Sequence, residues 1–298
     1  MEKRRMYGIL LCVILTGLAG CSAPAGEETQ AQVEIQTQME TQAQAETQAQ
    51  EETQTQAETQ MEPESASQEG GETTEYEKDG VHFVFQAIPF EEKDAAGKTW
   101  LEGAYMTAEI SIEGNEEAAA KIQNTLNKQV EDFLTEKAQN LEIAQEDAVV
   151  RSGDMSYSMY EGLTVQDITG DIISLTVSGE QYLGGAHGIY WTTGLNFDRH
   201  TGTELTLEGL FENPDEAVQK MKETVLAQMQ ERSEEAGEEL FFPDMEDTVE
   251  ELIRNGSWYF QDGNIVVIAN VYDLAPYVAG AFEFPVPLSE LGYKMQMQ

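Results

Sequence analysis

The chain is short of the residues on which most catalytic and metal sites depend. Its 298 residues include two cysteines and three histidines, with 16 lysines and arginines set against 56 aspartates and glutamates. With only His82, His187 and His200 present, general bases for a serine nucleophile are few. No Gly-x-Ser-x-Gly elbow, Ser-x-x-Lys, His-Glu-x-x-His, calcium-loop or Walker A pattern occurs. The shortage of bases gives a formal net charge of −40. Such a field repels nucleic acid and anionic wall polymers and attracts cationic proteins and peptides. Long apolar runs are missing too, since Tyr7 to Leu18 falls short of the ~20 residues that a bilayer-spanning helix needs.

What stands at the N-terminus reads as an export signal. Lys3, Arg4 and Arg5 form the charged region, and the apolar stretch follows. It ends in Leu18-Ala19-Gly20-Cys21, which matches the bacterial lipobox. The match implies a signal peptide over residues 1–20, cleavage before Cys21, and diacylation of the Cys21 thiol. Two acyl chains, at ~0.8 kcal/mol per buried methylene, make a stable anchor where one chain is marginal. The expected location is extracytoplasmic, held to the bacterial cell membrane by lipid on Cys21. Cys12 leaves with the signal, so the mature fold carries no thiol. A cysteine nucleophile, a thiolate metal site and a disulfide are thereby excluded.

Residues 21–75 read as a spacer. Glu28 to Pro63 repeats every six residues (ETQAQV, EIQTQM, ETQAQA, ETQAQE, ETQTQA, ETQMEP), and no lysine or arginine lies between Arg5 and Lys78. A period of six fits neither a heptad nor a 3.6-residue stripe. The composition buries too little apolar surface to offset chain entropy, so the expectation is a disordered Glu/Thr/Gln-rich tether. Its r.m.s. reach is roughly 40 Å, extended further by glutamate repulsion.

From Tyr76 onward the chain carries all tryptophans and phenylalanines, and it reads as α+β: two packed strand-and-helix subdomains, over 76–183 and 184–298, with mainly antiparallel sheets. Alternation predicts strands at 81–88, 104–112, 155–168, 172–183 and 189–197, and later at 258–260, 265–272 and 282–286. Asn115 caps a helix to about Leu141 with Ile122, Leu126, Val130, Phe133 and Leu134 as its stripe. Pro214 opens a second helix to about Arg232 with Val218, Met221, Val225 and Met229 inward, and a third follows within 241–255. Thr169-Gly170-Asp171 and Gln261-Asp262-Gly263-Asn264 are hairpin turns, and the links are expected to be hairpins rather than crossovers.

Two stretches carry a family resemblance. The first is Tyr182-Leu183-Gly184-Gly185-Ala186-His187-Gly188, then Leu195-Asn196-Phe197-Asp198 and Thr201-Gly202-Thr203-Glu204-Leu205-Thr206-Leu207. The second is Tyr272-Asp273-Leu274-Ala275-Pro276-Tyr277-Val278-Ala279-Gly280, followed by a proline-bearing strand and Leu288-Ser289-Glu290-Leu291. Together they resemble the paired extracellular domains of unknown function found in RsiV, a lysozyme-sensing anti-sigma factor, and in the non-catalytic region of the peptidoglycan deacetylase PdaC. The resemblance spans about Val81 to Leu291. It implies binding or sensing rather than catalysis, without the sigma-binding segment or the deacetylase domain, and hence capture at the surface.

Candidate binding residues follow from charge and local pattern. Residues 76–298 hold 13 lysines and arginines against 42 aspartates and glutamates, a formal charge of −29. The densest acidic run is Glu231, Glu234, Glu235, Glu238, Glu239, Asp244, Glu246 and Asp247, with Phe241, Phe242 and Pro243 inside it. It is either a docking element for a basic partner such as a lysozyme-like protein, or two solvated helix ends with both phenylalanines in the core. His187 lies in a glycine-rich turn that either lets backbone approach a ligand or makes a tight strand connection. Tyr277 is a candidate for a surface groove, in a segment that otherwise reads as a core strand and exit turn. Asp198 and His200 at i, i+2 lack a nearby third ligand, so no metal and no cofactor is expected. The alternative partner is peptidoglycan or another wall sugar; nucleic acid is not expected.

Overall fold

The computed structural model describes residues 71, 73–150 and 156–292, all within one compact unit, Gln68–Gln298. Cys21 and most of the expected tether lie outside the described residues. The last tether residues do not: Thr73–Lys78 form strand β1, an edge strand antiparallel to β2. Its six residues are polar but for Tyr76 and all are exposed, so no apolar alternation marked it.

β2 (Val81–Lys93) and β3 (Thr99–Ile112) form a long antiparallel hairpin. Helix α1 (Glu116–Val150) then crosses back, and β4 (Tyr157–Ile168) pairs parallel to β3 over Leu101–Tyr105. This link departs from the expectation of hairpins alone. Parallel neighbours need a crossover of a dozen residues or more, and α1 supplies it. β5 (Ile172–Tyr182) and β6 (Ile189–Asp198) complete a six-stranded sheet in the order β1 to β6. The expected domain boundary at 183/184 thus falls on the turn between two paired strands, β5 and β6.

Asn115 begins α1 as the sequence suggested. Its side-chain oxygen accepts from the Ala118 N–H at 3.2 Å while its amide donates to the His200 carbonyl at 2.8 Å, tying the 198–203 turn to the helix. Gly202 has φ +68°, and a Cβ there would stand 2.3 Å from the Ala118 oxygen, so only glycine fits. Ile122, Leu126 and Phe133 are buried as expected, whereas Leu134 is exposed.

The second half places helix α2 (Pro214–Ala236) and helix α3 (Glu246–Arg254) on a three-stranded antiparallel sheet of β7 (Trp258–Gln261), β8 (Asn264–Ala269) and β9 (Phe282–Pro287). Asn213 caps α2, and Val218, Met221, Val225 and Met229 are all buried. Asp262 and Gly263 both have positive φ, the geometry of a two-residue hairpin turn.

Strand β5 joins the halves. Ile172 to Val177 are buried without a break. Ile173, Leu175 and Val177 face the core shared with α1, while Ile172 packs into the core of the second half. On that second side Ser174 Oγ accepts from the Phe260 N–H at 2.9 Å and donates to Asn196 Oδ1 at 2.7 Å. The Asn196 amide donates to the Trp258 carbonyl at 2.9 Å. These buried polar groups are mutually satisfied, so the joint fixes one relative placement of the sheets.

Candidate binding surfaces

The acidic run folds into a groove of about 580 Å³ between the end of α2 and the start of α3. Gly237, left-handed at φ +73°, stops α2 as a glycine cap does, and the chain turns across its own end. Glu234, Glu238, Glu239, Phe241, Phe242 and Asp244 all line the groove, with Glu246; Glu235 is exposed on α2 outside that lining. The two phenylalanines divide the alternatives between them. Phe241 is buried and meets Phe282 at 4.7 Å. Phe242 stays 38% exposed, and its N–H donates to the Leu274 carbonyl at 2.8 Å.

His187 and Tyr277 come together in a different place. Their rings stack at 3.8 Å and 19°. His187 Nδ1 lies 2.9 Å from the Gly188 carbonyl, which only accepts, so Nδ1 carries the proton. Nε2 then accepts from the Tyr272 hydroxyl at 3.3 Å. Tyr190 meets Tyr277 edge-on at 6.0 Å. Tyr272 corrects the sequence reading: β8 stops at Ala269, and Tyr272 is 52% exposed with φ +70°. A left-handed non-glycine residue costs on the order of 1–3 kcal/mol, and the turn it makes buries the flanking Val271, Leu274 and Ala275. The segment is bolted to β6 by Asn270, which accepts from the Thr192 N–H at 2.7 Å and donates to its carbonyl at 3.1 Å.

Sequence reasoning missed three further participants. Tyr160 on β4 and Tyr190 on β6 flank Glu180 on β5, register partners across the sheet; their outward alternation was the available signal. Burial first, then Glu102 and Glu180, raises the Tyr160 phenol pKa, and burial with Tyr190, Glu180 and Tyr272 raises that of Tyr277. A third feature lies on the other face, where Glu161 shares a cleft of about 360 Å³ with Asp132, Phe133 and Glu136 of α1 and with Trp191. Burial, then Glu136 and Asp132, pushes its carboxyl up to about 7.

The remaining histidines have structural partners. Asp198 Oδ1 accepts from the N–H groups of His200 and Thr201, both at 2.8 Å, and His200 Nε2 lies 3.0 Å from Asp171. His82 pairs with Glu75 at 3.5 Å. Among the described residues, no group of three or more His, Asp or Glu is arranged to hold a metal ion.

Fold and surfaces define an α+β module of two sheets joined by a buried polar contact, with its candidate ligand surfaces in open grooves and on a sheet face. Comparison with known proteins agrees with the resemblance seen in the sequence. Residues 208–289 match the family model described as protein of unknown function (DUF3298), and residues 104–190 match that of deacetylase PdaC. A crystal structure of a DUF3298 family member from Bacteroides fragilis shares 20% identity, with 73% of this chain and 96% of that one covered, at a TM-score of 0.53. A DUF3298 family protein from Pseudomonas aeruginosa gives 16% identity, 70% and 93% coverage and a TM-score of 0.46. The first likeness shows the fold. No curated protein matches the chain.

Proposed function

We propose that the protein is a lipid-anchored capture module, non-catalytic, that engages a cationic wall-active protein of the lysozyme type through the groove between α2 and α3. The observation that carries this reading is the groove itself. Five carboxylates, from Glu234 to Glu246, surround an exposed aromatic ring, Phe242, on a domain of strongly negative charge. Aromatic anchors set among complementary charge are where protein interfaces concentrate their affinity, and the charge sets encounter rate and specificity.

A soluble chain from residue 22 onward is expected to bind lysozyme at low ionic strength, weakening steeply as salt is raised toward physiological levels, where the Debye length falls to about 8 Å. Phe242→Ala should weaken binding about ten-fold, and Glu238→Lys with Glu239→Lys should weaken it further. Surface plasmon resonance across a salt series measures both; no binding at low salt would sink the reading.

The anchor has its own test. Cys21→Ser should move the protein from the membrane fraction to the medium and abolish labelling by a fatty-acid probe. Unchanged membrane retention in that variant counts against lipidation at Cys21.

A further inference from the structure

A second surface shares no lining residue with the acidic groove. Strand register sets Tyr160 opposite Glu180, and Glu180 opposite Tyr190, so all three side chains stand on one face of the sheet. Two strand spacings put the tyrosines about 10 Å apart. Tyr160 and Tyr190 are 45% and 37% exposed, and Tyr277 extends the row toward His187 and Tyr272. The result is a line of aromatic rings interrupted by a carboxylate. The charges that act on its phenols are themselves carboxylates, Glu180 and Glu102. The loop that supplies its far end turns through left-handed backbone at Tyr272, whose half-exposed ring lies against Tyr277 and whose hydroxyl meets His187. The turn at Tyr272 buries its neighbours Val271, Leu274 and Ala275 and leaves the Tyr272 side chain on the surface.

The spacing and the charge select the occupant. A compact quaternary ammonium needs rings that converge on one point, whereas Tyr160 and Tyr190 stand two strands apart with Glu180 between them. Flat, separated rings suit the apolar C–H faces of successive pyranoses, with phenol hydroxyls available to the sugar edges. The separation is about the length of a disaccharide. A carboxylate between them, on a chain of net charge −40, disfavours carboxylated or phosphorylated sugars and favours a protonated amine. We propose that this row is a binding platform for a β-linked amino-sugar oligomer, with pyranose rings on Tyr160 and Tyr190 and the free ammonium group on Glu180. It is a separate site from the protein-docking groove and does not depend on that reading.

The test is calorimetric titration of the chain from residue 22 onward with the β-1,4-linked glucosamine tetramer and with its fully N-acetylated counterpart. The amine form should bind saturably and at least about ten-fold tighter than the acetylated form, because only it pairs with Glu180. Tyr190→Ala and the near-isosteric Glu180→Gln should each weaken it by about ten-fold or more, and Tyr190→Phe should retain most of the affinity. Both positions are on the surface, and unchanged melting curves would show that the variants fold. Four results would overturn the proposal. The first is no saturable binding of the glucosamine tetramer, and the second is affinity indifferent to both variants. The third is a lysine tetrapeptide that binds as tightly with the same sensitivity. A loss on Phe242→Ala as large as that on Tyr190→Ala would place the sugar in the acidic groove and equally overturn it.

Discussion

Asn196→Ala should lower the stability of the domain by about 3 kcal/mol. The substitution removes one of the two bonds between the sheets, the donor to the Trp258 carbonyl at 2.9 Å, and with it the acceptor for Ser174 Oγ at 2.7 Å, the hydroxyl that takes the Phe260 N–H in the other. Ser174, Asn196, Trp258 and Phe260 are all at least 95% buried. Groups left there without partners carry a desolvation cost of ~1–3 kcal/mol each. For a domain of this size the loss corresponds to a fall in Tm of roughly 6–12 °C. Ser174→Ala should cost a comparable amount, and the double variant less than the sum, because the two residues serve one network. Ser178→Ala, which removes an exposed hydroxyl bonded to Thr192, is the control and should stay within about 0.5 kcal/mol. Thermal and urea denaturation of the four variants beside the unsubstituted protein decides it; Asn196→Ala as stable as the control would mean that Asn196 does not hold the joint.

Glu161→Gln should stabilise the protein at alkaline pH and leave it nearly unchanged in mild acid. The folded-state value near 7 exceeds the ordinary carboxylate value of 4.5, so the folded chain holds more protons than the unfolded chain between those limits. Stability contributed by protonated Glu161 is therefore complete below about pH 4.5, falls as pH rises, and is gone above about 7. The carboxylate is only partly buried, and solvent screening reduces the effect to on the order of 1–2 kcal/mol. Glutamine keeps the shape and cannot ionise against Glu136 and Asp132. Urea titrations at pH 5 and pH 8 should show most of the variant's advantage at the higher pH. An equal difference at both values would mean that the carboxyl is not titrating in this window.

The two predictions differ in how far they were legible before the fold was known. Asn196 and Asp198 sit in the Leu195–Asp198 motif of the first stretch, which marked the segment without saying what the asparagine does. The motif's parts resolve into separate tasks: Asn196 locks the joint, Phe197 fills the core, Asp198 caps the turn, and Gly202 admits the backbone of α1. Glu161 carried no local signal. Its titration depends on burial first and then on Glu136 and Asp132, carried by a helix that the sequence placed but whose crossover between parallel strands it did not.

The acidic groove was nearly visible in one dimension, because its lining comes from a single stretch, Leu226 to Glu246. The aromatic row was not. Its members come from Tyr160, Glu180, Tyr190, His187, Tyr272 and Tyr277, on three strands and two loops. His187 and Tyr277 were candidates singly, and the other four read alone as ordinary strand or turn residues.

By itself the sequence determined what depends on near neighbours along the chain. It placed the cap at Asn115, the start of α2 at Pro214, the buried stripe of α2, the Asp262-Gly263 turn, and an α+β class with mostly antiparallel strands. Backbone dihedrals, capping bonds and side-chain periodicity are settled within a turn or two of helix or strand. Tertiary structure alone decided that β4 runs parallel to β3, that β5 is buried on both faces, and that Phe241 and Phe242 part company. Those outcomes rest on apolar area and polar satisfaction gathered from segments up to a hundred residues apart, a sum that no local window contains.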